Sequence, residues 1–319
     1  MKVLDIEANP EYLDDINSVI DGISKYYVGS RKSVEITLAT ILSSGHVLIE
    51  DFPGIGKTFL AKLFSTALGL KFSRIQFTPD LLPGDITGTK IYKQASGSFE
   101  IAKGPIFANI ILADEINRAP PKTQSALLEA MEESQVTIEG ETIHLQKPFV
   151  VIATQNPIEF QGTYPLPEAE LDRFMVRISL GYPDDRTLLE RRISWENDDP
   201  SSSIGSAMSA DKINQIKEYL ETGITVSKEI LDYISSFSKL RNDERVIAGP
   251  SPRGLISTLR LSRAIALLRG RDFVTPDDVK EVAPYVLPHR IVVKPDVLYE
   301  ERSGQSIVRE YLGKLEVPK

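Results

Sequence analysis

The chain has 319 residues, 41% hydrophobic and 26% charged, a composition typical of a globular protein with room for two domains. It has no cysteine, which excludes disulfides and thiolate metal sites, and its three histidines are scattered, which argues against a histidine metal centre. The net charge of −8 argues against a duplex-binding protein. No apolar run is long enough to span a membrane and no signal peptide is evident, so we expect a cytoplasmic protein without membrane insertion.

Two amphipathic helices are predicted at the amino end of the chain, over residues 11–27 and 34–42. Apolar residues recur in both at the three- and four-residue spacing of a buried helical face. The short segment Val28-Gly29-Ser30 separates them. This pattern predicts a helical layer ahead of the first strand.

A glycine loop between a predicted strand and a predicted helix is the most informative motif. The apolar residues 46–49 lead into EDFPGIGKT at 50–58, and apolar residues at helical spacing follow. Backbone N–H groups of such a loop converge on a phosphate, and the helix N-terminus adds a favourable dipole. Lys57 would meet the β- and γ-phosphates, and the Thr58 hydroxyl would bind Mg²⁺. The chain is therefore predicted to bind a nucleoside triphosphate.

The loop departs from the usual phosphate-loop pattern at one position. Asp51 stands where the pattern has a glycine, five residues before Gly56. Because Asp tolerates left-handed backbone geometry better than most residues, we expect the turn to form. The alternative is a chance Gly-Lys-Thr in a surface loop, which the preceding strand and the following helix disfavour.

Strands and helices alternate from the loop to about residue 182. Strands are predicted over 72–77, 108–113 and 149–154, and a helix over 121–133. Near-continuous apolar strands indicate burial on both faces, so the predicted fold class is α/β, a parallel sheet with helices on both faces.

Two segments interrupt this alternation. Residues 78–107 are rich in Gly and Pro, and we expect a loop carrying a short helix or a hairpin there. Residues 135–146 alternate and turn like a hairpin.

The remainder of the chain is predominantly helical in pattern. SPR at 251–253 and TPDD at 275–278 are typical helix starts, and strand-like runs are almost absent. We therefore predict an α/β core at 1–182, a linker at 183–200 and a small all-α lid domain at 201–319.

Polar residues end two of the buried strands, where open α/β sheets bind ligands. We assign Asp114 to the metal that Thr58 also contacts, and Glu115 to orientation of the attacking water. Asn156 would hold the γ-phosphate and the water without adding negative charge. The alternatives are that the acids merely end a strand and that Asn156 forms an Asx-turn before Pro157.

Two arginines are candidates for the γ-phosphate. Arg173 ends the predicted core, and Arg253 opens a helix of the predicted lid, with Arg260 further along the same face. An arginine at the γ-phosphate accelerates related phosphoryl transfers by roughly 10³–10⁵. For either residue taken alone, a surface salt bridge is the alternative.

Taken together, these residues resemble the AAA+ ATPases, and more closely the MoxR family within the helix-2-insert clade. The resemblance covers nearly the whole chain. Its matching stretches are EDFPGIGKT at 50–58, TPDLLPGDITG at 78–88, LADEINRAPPKTQSALLEAMEE at 112–133, VIATQNPIEFQGTYPLPEAELDRF at 151–174 and SPRGL at 251–255.

The resemblance implies a role for each matching position. Asn156 is similar to sensor 1, Arg173 to the arginine finger that acts on a neighbouring subunit, and Arg253 to sensor 2. Lys57 and Thr58 correspond to Walker A, and Asp114 and Glu115 to Walker B. Arg118 would face a subunit interface. Residues 78–107 would contain the helix-2 insert and 135–146 the hairpin before sensor 1. The residues expected at the nucleotide are Val28 and Gly29 beside the adenine, then Asp51, Pro53, Gly54, Ile55, Gly56, Lys57, Thr58 and Phe59.

The resemblance also implies cofactors and partners. ATP or ADP with Mg²⁺ would occupy the site, and identical subunits would form a ring, commonly a hexamer. MoxR-like proteins are similar to chaperones that remodel or activate partners, which often carry a von Willebrand factor A domain. The first hypothesis is therefore an ATP-hydrolysing remodelling chaperone.

Two other classes of function stay open at this point. A DNA motor shares the clade, although the acidic balance and the acids Glu139 and Glu141 in the predicted hairpin weigh against it. A non-hydrolysing nucleotide switch or scaffold would lack the Walker B glutamate or the arginine finger, and both are present.

Overall fold

Five parallel strands form the central sheet of the computed structural model, which describes residues 10–94, 97–157, 162–194, 204–294 and 303–316. The spatial order is β2-β5-β8-β1-β9, and every neighbouring pair is parallel. The predicted α/β class is confirmed. The strands are β1 Val47–Glu50, β2 Phe72–Gln76, β5 Ile110–Asp114, β8 Val150–Gln155 and β9 Val176–Ile178.

Alternate residues of these strands belong to two hydrophobic cores, one on each face of the sheet. Val47 and Ile49 of β1 join the core that includes helices α1, α2 and α3, whereas Leu48 joins the core that includes α5. A strand flanked by cores on both faces has to be apolar throughout, which explains the runs seen in the sequence. These helices are α1 Pro10–Tyr26, α2 Arg31–Leu42, α3 Lys57–Ala67 and α5 Pro121–Glu133.

The two interrupting segments each contain an antiparallel hairpin. The Gly- and Pro-rich segment has both a short helix, α4 Pro83–Thr87, and a hairpin of β3 Gly88–Lys93 with β4 Ser98–Lys103. The second hairpin pairs β6 Gln135–Ile138 with β7 Glu141–His144. The hairpins adjoin, since Lys90 Nζ lies 3.5 Å from Glu141 Oε2.

The carboxyl-terminal part is mainly helical and packs onto the core. Its helix α10 contacts α1 and α2, and its apolar residues continue the same core as those two helices. None of the helices in the described ranges is long and apolar enough to cross a membrane. The helices are α6 Glu168–Leu171, α7 Asp185–Ser194, α8 Ala210–Thr222, α9 Lys228–Ser236, α10 Pro252–Leu268, α11 Pro276–Val286 and α12 Gly304–Lys314.

Three features differ from the sequence-based expectations. Strand β9 was not predicted, since three residues are too few to show a pattern. The predicted linker contains helix α7, and its residues 195–200 lie outside the described ranges. The predicted all-α lid contains a two-stranded ribbon of β10 Val246–Ala248 and β11 Val292–Val293, β-branched residues in runs too short to stand out in the sequence.

Candidate nucleotide-binding site

The phosphate loop joins the carboxyl end of β1 to the first turn of α3. Gly54 and Gly56 have φ values of +86° and +88°, a left-handed conformation that strains any residue with a Cβ atom. Gly56 is the N-cap of α3, so the unpaired N–H groups of the first helical turn face the loop. The loop therefore has the geometry of an anion site at a helix N-terminus.

Lys57 is the first residue of α3 and reaches across the loop. Its Nζ donates hydrogen bonds to the backbone oxygen of Asp51 and, at 3.4 Å, to that of Gln155. Burial lowers the pKa of Lys57, while the nearby carboxylates of Asp51, Asp114 and Glu115 act in the opposite direction. The cation thus lies between the loop and the carboxyl ends of β5 and β8.

Asp51 does not adopt the left-handed conformation on which its sequence-based explanation depended. Its buried carboxylate instead accepts hydrogen bonds from the Ser179 hydroxyl, at 2.8 Å, and from the backbone N–H of Leu180. These two donors directly follow β9. Asp51 therefore anchors the start of the loop to the next strand, through a side chain that glycine does not have.

Asp114 ends β5 and is held from two sides. Its Oδ1 accepts a hydrogen bond from the Thr154 hydroxyl at 2.7 Å, and its Oδ2 lies 2.6 Å from Arg74 Nη2. A carboxylate oxygen and the Thr58 hydroxyl are hard donors that suit Mg²⁺, which proteins hold with few side chains. The described residues contain no group of three or more His, Cys, Asp and Glu able to hold a metal ion.

Glu115 sits in a left-handed backbone conformation, with φ of +56°. Its N–H donates to the Thr154 hydroxyl at 2.8 Å, so the same hydroxyl orients both acids. Its Oε2 accepts a hydrogen bond from Gln76 Nε2 at 2.9 Å and lies 3.2 Å from Arg118 Nε. Arg118, predicted to face a subunit interface, is thus paired with Glu115 within the chain.

Asn156 follows β8 directly and is buried beside the ends of β1 and β5. Val28 and Gly29 lie between α1 and α2, next to the loop. Their link to the loop is the buried ring of Tyr27, because a Cβ atom would lie 2.3 Å from that ring at Gly29 and 3.9 Å from it at Gly56. Burial raises the pKa of Tyr27 to about 12.

Arg173 and Arg253 lie together, but at the other edge of the sheet. Both pair with Glu132 near the end of α5, Arg173 Nε at 3.3 Å and Arg253 through its Nη2. They line one cavity with His46, which precedes β1, and Met175, which precedes β9. Since the loop follows the carboxyl end of β1, these arginines are separated from it by a strand that spans roughly 13 Å.

An ion pair between a buried arginine and a partly buried aspartate joins the segments that carry Arg173 and Arg253. Arg290 Nε lies 2.7 Å from Oδ1 of Asp172, the neighbour of Arg173. The hydroxyl of Ser251, the N-cap of α10, donates to the same carboxylate at 2.9 Å. Gly254 permits this approach, because a Cβ atom there would lie 2.7 Å from Arg290 Cδ.

Sequence reasoning missed several of these residues. No recognisable motif singles them out as site residues: they are Thr154, Gln76, Glu132, Asp172 and Arg290. Only the position of Thr154, two residues before Asn156 in a strand beside β5, could have indicated a side chain near Asp114. The arrangement as a whole combines an anion-binding loop, a lysine and two acids at one edge of the sheet, which suits phosphoryl transfer to water.

Comparison with protein-family models supports the same chemistry. Residues 46–176 match the ATPase family associated with various cellular activities (AAA), and residues 238–311 match the AAA lid domain. The first range includes the phosphate loop, both acids, Asn156 and Arg173. The second includes Arg253.

Individual relatives match over most of their length. The chain is 43% identical over 304 residues to the uncharacterized protein YeaC of Bacillus subtilis, covering 95% of each chain. It is 42% identical over 306 residues to the chaperone MoxR1 of Mycobacterium tuberculosis, covering 93% of this chain and 80% of that one. A crystal structure of a candidate ATPase from Cytophaga hutchinsonii has 41% identity and a TM-score of 0.89, covering 97% of this chain and 96% of that one.

Proposed function

This chain belongs to the MoxR family of AAA+ ATPases, and we propose that it hydrolyses ATP within a ring of identical subunits to remodel partner proteins. The observation that carries the proposal is the convergence of Lys57, Asp114 and Glu115 at the carboxyl edge of the sheet. A phosphate loop alone would suffice for binding. The acids beside it add the groups that hydrolysis requires.

The loop residues bind the triphosphate. The N–H groups at the start of α3 and the Lys57 ammonium neutralise the β- and γ-phosphates. Thr58 and Asp114 would hold Mg²⁺, which would neutralise charge on the phosphate oxygens. Val28 and Gly29 contact the adenine, next to the Tyr27 ring that also touches the loop.

Glu115 orients the attacking water and accepts its proton, and Asn156 holds the γ-phosphate. In the protomer, the Glu115 carboxylate is occupied by Gln76 and Arg118. Both partners contact Oε2 and hold the carboxylate in one orientation, while the second oxygen, Oε1, would accept the proton of the water.

The arginines supply the argument for a ring, which we expect to be a hexamer. Neither Arg173 nor Arg253 is near the loop of its own chain, because both lie at the amino ends of β1 and β9. Each would contact the γ-phosphate of a neighbouring subunit if subunits pack with this edge against the next loop. A head-to-tail contact of that kind generates a ring when the rotation between successive subunits closes.

The proposed clients are proteins, among them proteins with a von Willebrand factor A domain. The relative named chaperone MoxR1 supports this class. The β3–β4 hairpin presents two exposed aromatic side chains, Tyr92 and Phe99, whose ring centroids lie 5.4 Å apart. Such side chains suit contact with polypeptide. Glu139 and Glu141 at the turn of the other hairpin disfavour contact with a nucleic acid backbone.

Steady-state ATP hydrolysis across a range of protein concentrations tests the proposal. Specific activity should rise as the ring forms, and it should fall by a factor of at least 100 in Glu115→Gln and Arg173→Ala. Wild type and Arg173→Ala should bind a fluorescent ATP analogue equally when dilute. A wild type that binds ATP without hydrolysing it at any concentration of protein or Mg²⁺ would replace this proposal with a nucleotide-dependent scaffold.

A further inference from the structure

The cavity that contains Arg173 and Arg253 also contains a third arginine, Arg260. The cavity has a volume of about 290 Å³ and lies at the amino ends of β1 and β9. Its charged side chains are Arg173, Arg253, Arg260 and Glu132. The remaining lining residues are Ser44, Gly45, His46, Met131, Met175 and Ser257.

Arg260 is directed to the cavity by helical periodicity. Arg253, Ser257 and Arg260 occupy positions i, i+4 and i+7 of α10, which form one face of a helix. Ser257 is buried, whereas Arg253 and Arg260 on either side of it are exposed, so this face borders the core and presents both guanidinium groups at the surface. The partly buried Asp172–Arg290 pair holds the N-terminus of the same helix in place.

The cavity carries an excess of positive charge. Glu132 is the one acid among its lining residues, and it is shared by Arg173 and Arg253. Burial keeps His46 neutral near pH 7, because it lowers the pKa of that ring to about 4. Three arginines against one carboxylate leave two positive charges, which suits a doubly charged anion such as a terminal phosphate.

Arg260 has a counter-ion, but outside the cavity. Its Nε lies 3.1 Å from Oε1 of Glu221, which does not line the cavity. The other oxygen of Glu221 pairs with Arg263 at 3.0 Å. A shared, half-exposed carboxylate holds Arg260 only weakly, and the remaining guanidinium N–H groups can still bind an anion.

The size of the cavity limits what it can hold. Sites for whole drug-sized ligands measure about 300–1,000 Å³. A cavity at the bottom of that range can receive the phosphates of a nucleotide while the base and ribose remain in another site. The neighbouring subunit of the proposed ring would present a nucleotide in this way.

We propose that Arg260 is a third arginine of the trans-acting site and binds, with Arg173 and Arg253, the terminal phosphates of the nucleotide held by the neighbouring subunit. This inference rests on the proposed ring ATPase. It adds Arg260 to the residues that contact the nucleotide. Helix α10 of the lid would then supply two arginines, Arg253 and Arg260, instead of one.

The test compares Arg260→Ala with Arg263→Ala. Both remove one ion pair with Glu221, but only Arg260 lines the cavity. At concentrations where sedimentation shows wild type to be assembled, kcat should fall about 10- to 100-fold in Arg260→Ala and stay near wild type in Arg263→Ala. ATP binding by dilute protomers should be unchanged in both, because the protomer's own loop lies at the other edge of the sheet.

Mixing experiments show on which subunit Arg260 acts. Lys57→Ala subunits lack nucleotide binding but keep Arg260, and Arg260→Ala subunits have the converse defect. Mixed rings should hydrolyse ATP faster than either variant alone. Suppose that wild-type activity requires both assembly and Arg173, but that Arg260→Ala and Arg263→Ala have equal kcat values. That result would overturn this inference and leave the proposed function intact.

Two further cases have to be distinguished, an inactive wild type and an Arg260→Ala variant that does not assemble. A wild type without ATPase activity would overturn the proposed function and this inference together. If Arg260→Ala does not assemble, Arg260→Lys serves in its place, since it keeps the charge but loses the planar fork. A reduced kcat in assembled Arg260→Lys rings supports the inference, and a wild-type kcat in them overturns it.

Discussion

At the scale of single residues, one hydroxyl group organises the two acids of the site. The Thr154 oxygen accepts the N–H of Glu115 and donates its proton to Asp114. The first bond holds the backbone of Glu115 and the second holds the carboxylate of Asp114, so strand β8 fixes both residues at the carboxyl end of β5. A strand interior is more rigid than a loop, so the Asp114 carboxylate stays oriented without help from the nucleotide.

We expect Asp51 to stabilise the fold and not to lower the rate of ATP hydrolysis. Removal of its carboxylate in Asp51→Ala would leave the buried N–H of Leu180 without its acceptor, at a cost of about 1–3 kcal/mol. We expect a lower midpoint of thermal unfolding and weaker ATP binding. Differential scanning fluorimetry with and without ATP measures both.

Two further variants at this position separate the explanations. Asp51→Asn keeps one acceptor oxygen and should lose less stability than Asp51→Ala. Asp51→Gly restores the common loop pattern, and we expect it to be destabilised without any gain in kcat. A faster, equally stable Asp51→Gly enzyme would contradict the anchoring role.

At the scale of secondary-structure elements, His46 ties three of them together. It precedes β1, its Nδ1 accepts the N–H of Val151 in β8 at 3.0 Å, and its Nε2 therefore donates to Met131 O of α5 at 3.1 Å. Both ring nitrogens are used by the neutral ring. Burial, aided by the positive charge of Lys217, lowers the pKa of His46 to about 4.

This histidine should make the fold sensitive to acid. Between about pH 6.5 and pH 4, the unfolded chain binds a proton at His46 while the folded chain does not, so the free energy of unfolding falls as the pH falls. The lost stability amounts to roughly 3 kcal/mol at most. Chemical denaturation at several pH values should show a shallower dependence in His46→Gln than in wild type.

The matched control is His144→Gln. His144 is exposed at the end of β7, so its replacement removes a histidine without disturbing the buried core. His289 is also buried with a lowered pKa, so part of the dependence should remain in His46→Gln. Identical pH profiles for His46→Gln and wild type would exclude the assigned role.

At the scale of the whole molecule, the sheet separates the two groups of residues to which the proposed reaction assigns a role. Its carboxyl edge holds the loop and the acids, and its amino edge holds the arginines. The partly buried Asp172–Arg290 pair joins core and lid at the amino edge, so Arg173 and Arg253 would move as one unit. In the proposed ring, the site of one protomer would be completed by the arginines of a second copy.

Glu132 should oppose assembly, because it occupies the arginines that the neighbour's nucleotide would need. In Glu132→Gln, Arg173 and Arg253 no longer have to break an ion pair before they bind the neighbour's nucleotide. Since exposed ion pairs contribute at most about 1 kcal/mol each, we expect half-maximal specific activity at a two- to tenfold lower protein concentration. Glu129→Gln, on the exposed side of α5, is the control.

The opposite result has a clear meaning. If Glu132→Gln loses activity at all concentrations while it still forms rings, then Glu132 orients Arg173 and Arg253 in the working enzyme. The same carboxylate would then be a positioning residue, and the arginines would bind the phosphate without leaving it.

Most elements of the fold were predictable, since their signals are local. The predicted strands at the centre of the sheet, the helices α1, α2, α3 and α5, and the hairpin at β6 and β7 all occur close to their predicted positions. Strand β9 and the β10–β11 ribbon escaped prediction because segments of two or three residues have no measurable period. Their pairing is decided by neighbouring strands that lie far away in the chain.

By itself, the sequence determined the family, the phosphate loop and the identity of the acids, because each depends on residues that are close together in the chain. Only the tertiary structure decided which side chains meet. Asp51 accepts a hydrogen bond from Leu180, 129 residues away in the chain, and Glu132 accepts one from Arg253, 121 residues away. Contacts of this kind depend on which strands pair and on how the helices pack on the sheet, which no local pattern encodes. The placement of the arginines at the edge opposite the phosphate loop follows from that packing.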